Sequence, residues 1–153
     1  MLTDSKIVEE LRDSWTTVRT ADGRFRLGQD VALSGFAFPD PEVAKLVASL
    51  LVVMAYSVLE ETLLALRDQG VFSAGSSRLA DLMRSSRPGL AWRDYQAIEL
   101  GRQLRNAIAH ERKFLPAKEC ARLLDLVEAE LIGWQVLSGR IKVPWKFEFK
   151  PNS

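Results

Sequence analysis

The fold is decided by residues 40–70, which read DPEVAKLVASLLVVMAYSVLEETLLALRDQG. The first three residues, Asp-Pro-Glu, suit a helix start because Asp caps free backbone N–H groups, Pro fits the first turn and Glu favours the positive end of the helix dipole. The 14 residues Leu46–Leu59 carry no charge, but a membrane span needs about 20 apolar residues. The stretch therefore predicts a helix that ends at about Gln69 and is apolar on nearly all sides. Such a helix lies at the centre of a bundle or is partly covered by another subunit.

The rest of the chain predicts further helices with short connections. Residues 4–19 form an amphipathic helix, since their apolar residues recur at 3- and 4-residue steps, and residues 20–38 are expected to be irregular. Residues 78–84 predict a short helix, and residues 91–114 and 117–137 predict two long ones. The sequence thus predicts one all-α domain over residues 1–153, with a core of about residues 41–137. Its architecture is a bundle of four main helices with one short extra helix.

The C-terminal residues 141–153 have a different period. Apolar side chains alternate there with polar residues or proline, which is typical of extended backbone. We expect an extended tail that lies on an apolar surface through the alternate residues Val143, Trp145, Phe147 and Phe149.

Composition narrows the chemistry that this chain can perform. The 21 Lys and Arg against 20 Asp and Glu leave a formal net charge of +1, which argues against a strongly basic protein that coats nucleic acid. The lone Cys120 and the lone His110 exclude metal sites built on thiolate clusters or on two imidazoles, so we expect no metal and no cofactor. A single cysteine suits a reducing compartment, and the N-terminal residues lack the apolar core of a signal peptide. We therefore expect a cytoplasmic protein that does not bind membranes.

The stretch that is most informative about chemistry is 101–113, GRQLRNAIAHERK. Arg102, Asn106 and His110 are spaced by one helical turn each, so they are expected to stack along one edge of a helix. Arg105 precedes His110 by about 7.5 Å along the axis and about 140° around it, so one helix holds this pair only loosely. A second copy related by a two-fold axis would bring two Arg and two His into one cleft. The apolar stripe expected to face the core consists of Leu100, Leu104, Ala107, Ile108, Phe114 and Leu115.

These residue types suit cleavage of RNA without a metal. A neutral imidazole, with an unperturbed pKa of about 6.5, takes up a proton at neutral pH and can return it. A guanidinium matches phosphate oxygens, and an amide can orient the imidazole or a substrate hydroxyl. His110 could then deprotonate a ribose 2′-OH for attack on the adjacent phosphorus, while Arg105 stabilises the charge on the phosphoryl oxygens and Asn106 orients the groups. Candidate contacts to the RNA backbone are Arg102, Arg112 and Lys113.

The motif Arg105-Asn106-x-x-x-His110 on a helix of an all-α chain resembles the active-site motif of the HEPN superfamily, in which Arg and His are separated by four to six residues. The organisation is also similar, with a long helix containing Leu59-Glu60-Glu61 before the motif helix, and the resemblance covers roughly residues 41–137. It implies a helical bundle that forms a homodimer, with the two motifs meeting at the interface. Many members are metal-independent ribonucleases of toxin–antitoxin or phage-defence systems. For this chain it implies Arg105, Asn106 and His110 as catalytic residues and RNA as substrate. A cognate antitoxin protein is a further partner that the resemblance allows.

Two other functions stay open at this point. A HEPN-like bundle without catalysis would serve as a dimerising adaptor or ligand sensor for another protein. An all-α antitoxin or regulator would bind protein through the polar face of the motif helix. Toxicity on expression, compared with that of Arg105→Ala and His110→Ala, distinguishes the ribonuclease from both.

Overall fold

The computed structural model of the protein describes residues 1–31 and 40–141, and within them it contains five α-helices and no β-strand. This confirms the all-α fold class. The predicted extended tail lies outside the described residues, apart from its first residue, Ile141. The helices are α1 (Ser5–Val31), α2 (Pro41–Asp68), α3 (Leu79–Ser86), α4 (Tyr95–Glu111) and α5 (Ala117–Gly133).

Helix α2 is the centre of the bundle, and each of the other four helices packs against it. The carboxylate of Asp40 caps its start by accepting hydrogen bonds from the N–H groups of Glu42 and Val43, at 3.0 and 3.3 Å. The helix ends at Asp68, and Gly70 then adopts a φ of +88°, which favours glycine. The predicted bounds of this helix are confirmed.

One face of α2 is exposed along its N-terminal half. Its side chains follow one another at helical spacing and are 37–53% exposed. By length and composition α2 could cross a membrane, but the other faces of the helix are covered as in the core helix of a bundle. The helix thus lies at the centre of the fold and still presents an apolar surface. We call this surface the α2 stripe: Val43, Leu46, Leu50 and Met54.

Helix α1 is longer than its sequence predicts. It continues to Val31, so the expectation of irregular structure is wrong for residues 20–31. Asp22 is buried and accepts hydrogen bonds from Arg19 at 3.3 Å and Arg26 at 3.1 Å, one turn to each side. Arg19 also binds two carboxylates of α5, at 2.6 and 2.7 Å. These polar residues look loop-like in sequence, but their partners on α1 and α5 stabilise them in a helix.

Helix α4 begins at Tyr95 rather than at the predicted Ala91 because the preceding backbone is bound elsewhere. The buried carboxylate of Glu130 on α5 accepts the N–H groups of Arg93 and Asp94, at 2.9 and 2.7 Å. The side chain of Asp94 in turn caps α4. These bonds hold the start of the motif helix against α5.

The other helix ends differ from the predictions by a few residues. Helix α4 ends at Glu111, before the left-handed Arg112, and not at Phe114. Helix α5 ends at Gly133 instead of residue 137, because the backbone turns at Gln135, whose φ is +61°. The predicted short helix is present as α3, with its end two residues later than expected.

Candidate functional site

The buried face of α4 differs from the apolar stripe that its sequence suggests. Ile98, Gly101 and Ile108 are buried, whereas Leu100 is 61% exposed and Ala107 lines an outer groove, so the predicted position of these two residues toward the core is wrong. Helix α4 is thus rotated about its axis relative to the prediction, and Gly101 explains why. Tyr56 of α2 lies against Gly101, and its hydroxyl group donates a hydrogen bond to the carbonyl oxygen of Ile98 at 2.9 Å. Burial raises the pKa of Tyr56. A glycine inside a helix is costly relative to alanine and therefore typical of close contact between helices, but only the packing of α2 shows the direction of that contact.

A shallow groove of about 350 Å³ runs along the outer face of α4. Arg102, Asn106 and His110 line it at successive turns, as their spacing predicts. His110 is exposed in the last turn, so its imidazole is open to a ligand from solvent. We call this surface the α4 groove: Arg102, Gln103, Asn106, Ala107, His110 and Glu111.

Arg105 does not line the α4 groove and is half-buried beside it. Its Nη1 donates a hydrogen bond to Oδ1 of Asn106 at 3.1 Å, which joins the guanidinium to a residue of the groove. Its Nε is buried and has no hydrogen-bond acceptor among the described residues. Buried donors are nearly always satisfied, so this N–H group is an exception within the described residues.

Arg102 lies in the α4 groove but is already paired. Its Nε and Nη2 donate to the carboxylate of Glu99 at 2.9 and 2.6 Å, in a two-pronged ion pair on the same helix. This hydrogen bond lowers the pKa of Glu99 and raises that of Arg102. An RNA phosphate would therefore have to compete with Glu99 for this guanidinium.

Arg112 and Lys113 lie beyond the end of α4, next to His110 in sequence. Arg112 is exposed in a left-handed conformation with a φ of +54°. The amine of Lys113 lies 3.3 Å from a carboxylate oxygen of Glu111, and both side chains are exposed. Both basic residues thus lie at the open end of the groove. Lys113 is paired with Glu111, whereas Arg112 has no acidic partner among the described residues.

The motif lies level with the α2 stripe. Helices α2 and α4 are antiparallel, because Tyr56 meets Ile98 while the hydroxyl of Ser49 accepts the N–H of Leu115 at 2.9 Å. At about 1.5 Å per residue, Arg105 and the groove residues after it lie beside the N-terminal half of α2. Sequence reasoning missed this neighbourhood, since the apolar run in α2 does not tell which face is left exposed.

No group of three or more His, Cys, Asp or Glu side chains that could hold a metal ion occurs in residues 1–31 and 40–141. Comparison of the chain with protein-family models, with curated proteins and with solved structures found no match.

Proposed function

We propose that this protein is a HEPN-type, metal-independent endoribonuclease that acts as a homodimer. The observation that carries the proposal is the exposed His110 in one groove with Asn106, whose amide oxygen is bound by Arg105. The three residues of the motif are thereby connected, with the acid/base group open to solvent and the guanidinium partly withdrawn from it. In this proposal His110 is the acid/base, Arg105 the phosphate ligand and Asn106 the orienting residue.

The reaction is an attack of a ribose 2′-oxygen on its own 3′-phosphate. His110 takes the 2′-OH proton, a bond forms between O2′ and phosphorus, and the bond from phosphorus to O5′ of the next nucleotide breaks. The imidazolium returns the proton to O5′, so the products are a 2′,3′-cyclic phosphate and a 5′-OH end. Arg105 stabilises the negative charge that gathers on the phosphoryl oxygens.

Two copies complete the site in this proposal. Arg105 and His110 of one copy point about 140° apart around α4, so one helix does not clamp a phosphate between them. The α2 stripe, level with the motif, offers an apolar surface that a second copy can cover. Ala109, exposed on α4, permits close approach of a symmetry-related helix. The second copy then brings its own Arg105 to the combined cleft.

The test is cleavage of RNA by the purified protein in EDTA. Wild type is expected to leave 2′,3′-cyclic phosphate ends, and His110→Ala is expected to slow cleavage by about 10²-fold or more, since general acid–base catalysis contributes about that much. Gln103→Ala is the matched control, because Gln103 is exposed in the same groove without a role in the reaction. Cleavage at the wild-type rate by folded His110→Ala would reject the assignment.

The homodimer has a separate test. Leu50→Glu places a charge in the middle of the α2 stripe and is expected to lower both the dimer fraction, measured by analytical ultracentrifugation, and the rate of cleavage. Lys118→Glu, on an exposed position of α5, is the control. A Leu50→Glu protein that remains dimeric and active would remove the stripe from the interface.

A second candidate is a dimerising adaptor without catalysis. It is favoured by the pairing of Arg102 with Glu99 and of Lys113 with Glu111, which leaves fewer free cations for an RNA phosphate. An adaptor predicts a dimer that neither cleaves RNA nor arrests growth on expression. The proposed ribonuclease, if it is the toxin of a toxin–antitoxin pair, predicts the opposite result. Wild type expressed without its antitoxin arrests growth, and His110→Ala or Arg105→Ala does not.

A further inference from the structure

A second groove lies between α1 and α2, and the proposed ribonuclease site does not use it. It consists of two adjoining cavities of about 300 and 470 Å³ that share Glu61. The first has apolar walls, among them Val18, Leu51 and Met54. We call the two cavities together the α1–α2 groove.

The second cavity makes this groove acidic. Asp4 and Asp68 join Glu61 in its lining. Asp4 caps the start of α1, and Asp68 is bound by Arg67 at 2.9 Å. Glu61 is exposed and has no hydrogen bond or ion pair with any residue of the described chain. The α1–α2 groove therefore offers apolar walls with a free carboxylate between its two parts.

We propose that the C-terminal segment 142–153 of the same chain docks in the α1–α2 groove. In this segment large apolar side chains alternate with proline or charged residues, and its three lysines and one glutamate give its side chains a net charge of +2. An extended segment presents alternate residues to opposite sides, so the aromatic residues can contact the apolar walls while the lysines lie near the carboxylates. A Met side chain such as that of Met54 contacts aromatic rings favourably.

The length of the segment is sufficient. The described chain ends at Ile141, and five residues earlier the carbonyl oxygen of Val136 accepts a hydrogen bond from Arg12 of α1 at 2.6 Å. Twelve extended residues span up to about 40 Å. A path half-way around α1, whose diameter is about 10–12 Å, uses roughly 15–20 Å. The remaining length of about 20–25 Å is enough to follow the groove, since Asp68 and Met54, which line its two cavities, are about 21 Å apart along α2.

Charge favours this occupant over the same groove of a second copy. Two such grooves face to face would bring carboxylates against carboxylates across the two-fold axis, which is unfavourable. The basic segment, by contrast, is complementary to them. A second copy that covers the α2 stripe leaves most of the groove open, because Met54 is the one stripe residue that lines it.

The three methionines of the chain supply the test. The full-length protein is labelled with ¹³C at the methionine methyl groups, and the Met54 signal reports on the groove while the buried Met83 reports on the fold. Replacing the three aromatic residues together (Trp145→Ser, Phe147→Ser and Phe149→Ser) is expected to move the Met54 signal, because aromatic rings leave its methyl group. The Met83 signal is expected to stay in place. An unchanged Met54 signal overturns the proposal.

Charge reversal tests the same docking from the side of the groove. In a Glu61→Lys background, the shift of the Met54 signal caused by the aromatic replacement is expected to fall about two-fold or more. The reason is that loss of one exposed ion pair lowers the docking equilibrium constant by about that factor. Glu60→Lys is the matched control, since Glu60 is the neighbouring acid and does not line the groove. An equal shift in the Glu61→Lys and Glu60→Lys backgrounds counts against the proposed charge contact. If the Met54 signal of the labelled tail variant moves toward the wild-type position on mixing with unlabelled wild type, the groove is occupied by the tail of a second copy, and docking within one chain is overturned.

Discussion

Gly101→Ala is expected to destabilise the protein although it adds a good helix former. A Cβ at this position would lie far inside van der Waals contact with the hydroxyl oxygen of Tyr56, and 3.0 Å from both Cζ of Tyr56 and Cδ2 of Leu123. Neither neighbour is at the free end of an exposed side chain, since both residues are buried in the core. The substitution must therefore displace Tyr56 or move α4 away from α2.

The magnitude follows from three contributions. Displacing Tyr56 removes its hydrogen bond to Ile98, which is worth about 1 kcal/mol. Overpacking of a core contact costs about 1–3 kcal/mol. Alanine recovers about 1 kcal/mol of helix propensity relative to glycine. We expect the free energy of unfolding to fall by about 1–3 kcal/mol.

The assay is urea denaturation followed by circular dichroism, with two matched variants. Gly28→Ala in α1 has open space around the added Cβ, so it is expected to leave stability unchanged or raise it by up to about 1 kcal/mol. In a Tyr56→Phe background the hydroxyl oxygen is gone, and Gly101→Ala is expected to destabilise the protein less. If Gly101→Ala is as stable as Gly28→Ala, the packing of α4 on α2 through Gly101 is refuted.

Two further predictions concern charged groups. Glu128→Ala is expected to lower the free energy of unfolding by about 1–3 kcal/mol, because it leaves the indole N–H of Trp15 and one N–H of Arg19 without the buried carboxylate that both bind at 2.7 Å, while Arg19 keeps its other carboxylates. Urea denaturation checks this, and a loss below about 1 kcal/mol would contradict it. The hydrogen bond from Arg102 lowers the pKa of Glu99, so this pair stabilises the fold above the unfolded value of about 4.3, and that stability is lost as the pH falls through the folded pKa. Wild type should lose stability more steeply than Glu99→Gln below about pH 4.3, and parallel acid titrations of the two proteins would contradict this.

The local rules of helix formation were sufficient for much of this protein. The all-α class, the start of α2 at Asp40 and its end before Gly70 follow from capping and backbone preferences of neighbouring residues. The alignment of Arg102, Asn106 and His110 in one groove follows from the 3.6-residue period alone. Each of these features depends on residues within a few turns of one helix.

Contacts between distant segments decided the rest. The polar residues 20–31 are helical because Arg19 binds carboxylates of α5 that lie more than 100 positions away in sequence. Asp22 in turn accepts hydrogen bonds from Arg19 and Arg26. The rotation of α4, with Leu100 outside and Arg105 half-buried, depends on Tyr56 filling the space beside Gly101. Periodicity states that a helix has an apolar side, but the face that becomes buried is the one on which side chains of another helix fit. For this reason the tertiary structure, and not the sequence pattern, revealed the exposed stripe on α2 and the acidic groove beside it.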